Sequence, residues 1–267
     1  MRLLTIGLLI IVLLSCNKII TIELPAYESQ IVVEMYLEEG KPLRCLVSES
    51  LPYTDTAISR ELNDAMVIFS DGSVNDTLVN IINEDTETGR WYNYFNPGIM
   101  LADSTKTYTI KISDSSNRLV TGTTQFSQRI ISIDSINIRS SANEPDSFSV
   151  GIIISDPGIS DNYYRFLITK KLNDFNSEDT DFFLSDLSFN GNSFSFYSNA
   201  NYARNDTVLV RVYSLLKEYY DYLQSTENAR NSNFNPFTQP ALIKSNVKGG
   251  LGIFTAIRYD QRQIMIR

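Results

Sequence analysis

Between Ile31 and Ser214 the chain repeats one device: a short apolar or alternating run, then Gly, Asn or Asp, then another run. Thr107-Tyr108-Thr109-Ile110-Lys111-Ile112 alternates strictly, as a strand with one buried and one wet face requires. Runs 31–37 and 43–48 flank the hairpin loop Glu38-Glu39-Gly40-Lys41-Pro42, and runs 66–70 and 76–82 flank Asp71-Gly72. Runs 91–94 and 119–126 complete a first set. A second set spans 130–139, 148–155, 163–171, 181–187, 193–197 and 207–214, with Asp156-Pro157-Gly158 and Asn190-Gly191 as turns. Strands at this spacing with no helix between them predict two β-sandwiches, residues 29–127 and 128–267.

One segment breaks the rhythm. Leu215, Leu216, Tyr219, Tyr220, Tyr222 and Leu223 recur at three- and four-residue steps. With Ser214 as a cap, they predict one α-helix over 215–228, stopped by the polar stretch 231–235 and Pro236. Its tyrosines read as packing against a sheet rather than as a ligand platform.

The amino terminus has a different character. Arg2 precedes an apolar stretch, 3–14, that ends in Leu13-Leu14-Ser15-Cys16. The stretch is too short to cross a bilayer, which takes about 20 apolar residues. It reads as a signal peptide, 1–15, closed by a lipobox, with Cys16 the lipidated residue and 16–28 a short tether reaching at most ~45 Å. Losing Arg2 takes 23 basic residues to 22 against 31 acidic, a balance of −9. Such a chain repels nucleic acid, so its attachment to a membrane must come from acyl chains on Cys16. Asn17-Lys18-Ile19-Ile20 follows Cys16 without an acidic cluster, leaving both the surface and the periplasmic face of an outer membrane open.

Much chemistry is excluded. The chain has no histidine and two cysteines. Ser-His-Asp and Cys-His machinery and His-ligated metals are therefore out of reach, and once Cys16 carries lipid, Cys45 has no disulfide partner. Cys45 reads as a small buried hydrophobe. Glu178-Asp179-Thr180-Asp181, with Asp174 and Asp186 nearby, lacks the spacing of a calcium loop and reads as a solvated acidic loop. No metal, no cofactor and no catalytic residue is assigned. Among the clustered aromatics Trp91, Tyr92, Tyr94 and Phe95, Trp91 is the candidate binding residue.

Near the carboxyl terminus, Asn235-Pro236-Phe237-Thr238-Gln239-Pro240 leads into Ser245-Asn246-Val247-Lys248-Gly249-Gly250-Leu251-Gly252-Ile253-Phe254. With Ile31-Val32-Val33-Glu34, Ser50-Leu51-Pro52-Tyr53, Ala65-Met66-Val67-Ile68, Asn162-Tyr163-Tyr164-Arg165-Phe166 and Glu218-Tyr219-Tyr220-Asp221-Tyr222-Leu223, this ordered set resembles the domain-of-unknown-function 4249 family of exported Bacteroidota lipoproteins. The resemblance implies immunoglobulin-like sandwiches, no known activity, and a role beside TonB-dependent outer-membrane receptors in substrate capture or receptor assembly. Gly249, Gly250 and Gly252 read as a tight bend rather than a phosphate loop, because no helix follows them, and Asn246 reads as fixing that bend through its own backbone. The expectation is a noncatalytic accessory lipoprotein. A surface adhesin or glycan-binding module and a carboxylate-dependent hydrolase stand as alternatives.

Overall fold

In the computed structural model the described residues are 27–52, 55, 58–86, 88–141, 144, 146–170, 180–198, 202–233 and 241–267. Cys16 and the signal segment lie outside them, as do Asp174, Glu178, Asp179 and residues 235–240. The chain is mostly β. In order, the strands are β1 (Ile31–Glu38), β2 (Pro42–Glu49), β3 (Arg60–Glu61), β4 (Met66–Ser70), β5 (Asn75–Asp85), β6 (Arg90–Ile99), β7 (Tyr108–Ser113) and β8 (Leu119–Thr124). They continue with β9 (Ser135–Ser140), β10 (Ser147–Ser155), β11 (Tyr163–Lys170), β12 (Thr180–Ser185), β13 (Ser193–Tyr197), β14 (Tyr202–Ala203) and β15 (Thr207–Leu215). Among the described residues one α-helix, α1 (Lys217–Asn233), precedes the last strand, β16 (Leu251–Met265).

Eleven strands form one continuous path, β12-β11-β15-β16-β1-β2-β6-β5-β4-β7-β8, with β3 added on β2. β16 is the hinge of this order. Its first half pairs parallel with β1, Val32 to Leu251 through Glu38 to Ile257. Its second half pairs antiparallel with β15, Ser214 to Arg258 through Thr207 to Met265. At the far end the sheet curls back, because Thr121 in β8 exchanges backbone hydrogen bonds of 3.0 and 2.8 Å with Lys248, just ahead of β16.

Alternation then sorts the side chains. Ile31, Val33, Met35 and Leu37 of β1 and Leu43, Cys45 and Val47 of β2 point into a first core, which also takes Phe254 and Ala256 from β16. The Cys45 thiol is fully buried there, and burial pushes its pKa up and out of reactive range. A second core lies between β11 and β15 and a small sheet in which β9, β13 and β14 all pair with β10. Val150, Ile152 and Ile154 face Phe166, Ile168, Val208, Val210 and Val212 across it. A third, aromatic layer holds Tyr36, Tyr92, Tyr213, Tyr219, Ile253 and Ile257, capped by α1.

The helix begins two residues later and runs five residues further than 215–228. Ser214 is not its cap: it pairs with Tyr164 and Arg258 in the sheet, and its Oγ accepts the Ile131 N–H at 3.1 Å. The hydroxyl is already engaged, so the strand continues through Leu215 and the helix opens without a polar cap.

The bend before β16 is a packing constraint. Gly249 and Gly252 sit at φ +82° and +112°. A Cβ on Gly249 would lie 2.1 Å from the Leu119 carbonyl oxygen, on Gly250 2.5 Å from that of Ile31, and on Gly252 2.0 Å from that of Val33. No side chain fits between these backbones. Asn246 acts at a distance rather than on its own backbone. Its Nδ2 donates to the Phe254 carbonyl at 2.7 Å while its Oδ1 accepts the Phe254 N–H at 2.9 Å. Gly252→Ala is expected to cost several kcal/mol (~3–5), whereas Gly40→Ala, with positive φ but nothing within 4 Å, is expected to cost only about 1 kcal/mol. Urea denaturation of the two variants checks the contrast; equal losses would show that the close approach at β16 relaxes freely.

Candidate functional site

The residues singled out in the sequence do not converge. Asn246, Gly249, Gly250, Gly252 and Phe254 form the joint beneath β16, tied to backbone atoms of β1 and β8. Trp91 lies in β6 opposite Glu84 and is 56% exposed, while its neighbours Tyr92 and Tyr94 are buried. The acidic segment is not uniformly solvated: Asp181 forms an ion pair with Arg165, and Asp186 is buried. Among the described residues no group of acids and thiols is arranged to hold a metal ion.

A concavity lies elsewhere. It is an open cleft of about 690 Å³ framed by three segments: residues 127–134, the turn 155–164, and the passage from β15 into α1. Each wall is anchored by specific hydrogen bonds. The connecting segment is pinned when Ile133 donates its N–H to Asp260 Oδ2 (2.9 Å) and Asp134 donates its own to the Ile153 carbonyl (2.9 Å). Arg258 Nη1 donates to the Ser127 carbonyl at 2.9 Å. These anchors lie on β10 and β16, so the cleft is held by the sheet rather than by its own loops.

The turn opposite is tied by one carboxylate. Asp156 Oδ2 accepts the N–H groups of Gly158 (3.0 Å) and Gly191 (2.7 Å). Its Oδ1 accepts Asn162 Nδ2 (3.1 Å) and the Tyr164 hydroxyl (2.5 Å). Asp156-Pro157-Gly158, Asn162-Tyr163-Tyr164 and Asn190-Gly191 are thus three parts of a single knot. Burial pushes the Asp156 carboxyl up, but its four donors outweigh that and hold it below the usual carboxylate range. Burial and the adjacent carboxylate push the Tyr164 phenol well above its ordinary value.

The cleft's charges are mixed. Arg129 and Lys217 stand with Asp134 and Asp161 along its walls. Arg129 Nη1 donates to Ser160 Oγ at 3.3 Å, and Ser155 Oγ donates to Asp134 Oδ2 at 2.7 Å. Tyr163 packs against Tyr220 of α1 with ring centroids 4.7 Å apart and the planes tilted by 32°. This lining offers donors, acceptors and one aromatic face, a set that can hold a polar ligand through hydrogen bonds. Sequence reading missed Arg129, Asp134, Asp161 and Lys217 as wall residues. The available signal was positional: the connection between two strand sets runs along the place where their cores adjoin.

The Asp156 knot has a pH signature. A carboxyl lowered in the folded state stabilises the fold above the unfolded pKa, about 3.9, and that contribution is lost as pH falls through the lower folded value. Asp156→Asn is expected to cost ~1–3 kcal/mol at neutral pH and to flatten the loss of stability on acidification below about pH 4. Urea melts at neutral and acid pH measure both effects, and wild-type stability in the variant at pH 7 would rule the knot out.

A family model described as a domain of unknown function (DUF4249) matches residues 17–263. No curated protein matches the chain.

Proposed function

The chain belongs to the DUF4249 family, and we propose that it is a noncatalytic outer-membrane lipoprotein, anchored through acyl chains on Cys16, that serves a TonB-dependent receptor as an accessory or ligand-capture partner. The observation that carries the reading is the lipobox Leu13-Leu14-Ser15-Cys16, set a short distance ahead of β1. Among the described residues no helix is long and apolar enough to cross a membrane, so in this reading the acyl chains on Cys16 supply the attachment. With a tether of at most ~45 Å, the first core rides close to the lipid surface, a placement that suits contact with a receptor embedded there.

Capture is supported by the cleft. Its walls hang on β10, β15 and β16, and sites built on sheet scaffolds hold their geometry more closely than sites built on free loops. Its lining can recognise a polar molecule. One observation favours a second reading, a glycan- or partner-binding face: Trp91 is the chain's one tryptophan and keeps more than half its surface in water.

Two measurements test the proposal. Cys16→Ser is expected to abolish incorporation of a labelled fatty acid and to move the protein from the membrane to the soluble fraction. Wild-type protein extracted in mild detergent is expected to bring a TonB-dependent receptor with it. Fatty-acid labelling that persists in Cys16→Ser would overturn the anchor, and recovery free of any receptor would overturn the partnership.

A further inference from the structure

Beside the cleft, and sharing Asp161, Tyr163 and Lys217 with it, lies a smaller pocket of about 290 Å³ whose wall also includes Asp186, Tyr220 and Asp221. Asp186 is its unusual member. It opens a one-turn 3₁₀ helix, and none of its surface is exposed. Its backbone N–H donates to the Asn162 carbonyl at 3.0 Å, and its own carbonyl accepts the Phe189 N–H at 2.8 Å. Oδ2 accepts both the N–H (2.9 Å) and Nδ2 (3.1 Å) of Asn162. Oδ1 accepts from no group among the described residues.

A carboxylate oxygen withdrawn from water without a donor is costly, and native structures rarely keep one without a use. Its surroundings favour a positive group. The Tyr163 and Tyr220 rings stand 4.7 Å apart at the pocket, and their electron-rich faces attract ammonium groups. An ammonium of the chain already samples this environment: Lys217 Nζ lies 6.0 Å from the Tyr163 ring and 2.7 Å from Asp221 Oδ2. Lys244 Nζ also bears on Asp221, at 3.6 Å. Both lysines therefore serve the same carboxylate. Among the described residues Asp186 and Asp161 have no cation.

We propose that this pocket binds the primary ammonium of a small organic amine. One N–H donates to Asp186 Oδ1, and the charge lies beside the Tyr163 ring, where the Lys217 ammonium already stands 6.0 Å from the ring centroid. Lys217 and Leu187, 61% and 82% exposed, also line the pocket. The proposal deepens the ligand-capture reading and rests on it for its biological purpose. Binding itself is measured on the chain alone, so the anchor or the receptor can fail without touching this result, and the reverse.

The test is calorimetric titration of the full-length chain in mild detergent with n-butylammonium chloride. Uncharged n-butanol and the quaternary cation choline, which has no N–H, serve as comparisons. Saturable binding of butylammonium is expected, with neither comparison ligand competing. Asp186→Asn is expected to weaken it about tenfold or more, the scale of a lost charged hydrogen bond. Lys217→Met removes the competing internal ammonium and is expected to tighten binding severalfold, with the thermal midpoint nearly unchanged because the side chain is exposed. Absence of saturable binding in both wild type and Lys217→Met overturns the proposal, and so does choline binding as tightly as butylammonium. Should Asp186→Asn fail to fold, the Lys217→Met result decides: no change in amine affinity overturns the site, and tightening supports it.

Discussion

One strand carries the architecture. β16 is parallel to β1 along its first half and antiparallel to β15 along its second, so one stretch of backbone belongs to the sheets over both main cores. A parallel partner cannot arrive by a tight turn: the chain between β1 and β16 runs through every other strand, and α1 is the last element before β16. The helix covers the outer face of the joined sheet where β15, β16 and β1 lie side by side. Its tyrosines bury their rings there, and a buried phenol needs a polar partner: Tyr219 Oη accepts from Arg165 Nη1 at 3.0 Å. Arg165 in turn is held by Asp181 through Nε and Nη2 at 2.7 and 2.5 Å.

Where the ladders stop, side chains take over their work. Asn93 accepts the Val47 N–H at 2.8 Å and donates to the Val47 carbonyl at 2.9 Å, just past the last β2–β6 pair. Asn246 does the same for Phe254. A carboxamide presents one donor and one acceptor, the complement that a neighbouring strand residue would offer. Each closes an otherwise bare stretch of buried edge without adding a strand. Asp156 performs a related service for turns, where the need is for acceptors alone and a carboxylate suits better than an amide.

How much of this could be read from the sequence follows from the range of the forces involved. Strands with one wet face were legible, since alternation is written locally: residues 66–70 and 193–197 were placed as they stand. The full length of β16 was hidden, because Arg258, Asp260, Gln261, Arg262 and Gln263 are polar and carry no apolar alternation. Its pairing comes from β15, a partner far off in the sequence. Ser214 looked like a cap because the local rule is sound, but a long-range contact with Ile131 had claimed its hydroxyl. Asp186 looked solvated for the same reason: a carboxylate's polarity is visible in sequence, whereas Asn162 folding over it is not. Trp91 and Cys45 show the two outcomes for isolated hydrophobes, one left in water and one fully buried, which only the register decides.

The cleft sits where it does for a mechanical reason. Residues 127–134 must pass from the first core to the second, and they are pinned to Ser214, Asp260 and Ile153 along the way. Ser214 and Asp260 lie just past the point where β16 changes partners. A connection held so close to that seam cannot also fill the space above the start of α1, where the backbone leaves the sheet. The space is bounded instead by the Asp156 knot, whose four donors fix the turn. A hollow with polar, backbone-anchored walls is thus a consequence of the topology, and the exposed charged residues of its lining are free to vary without disturbing either core. Variation at Arg129, Asp134, Asp161 and Lys217 can therefore retune what the cleft holds, whereas variation at Gly252 or Asn246 acts on the joint itself.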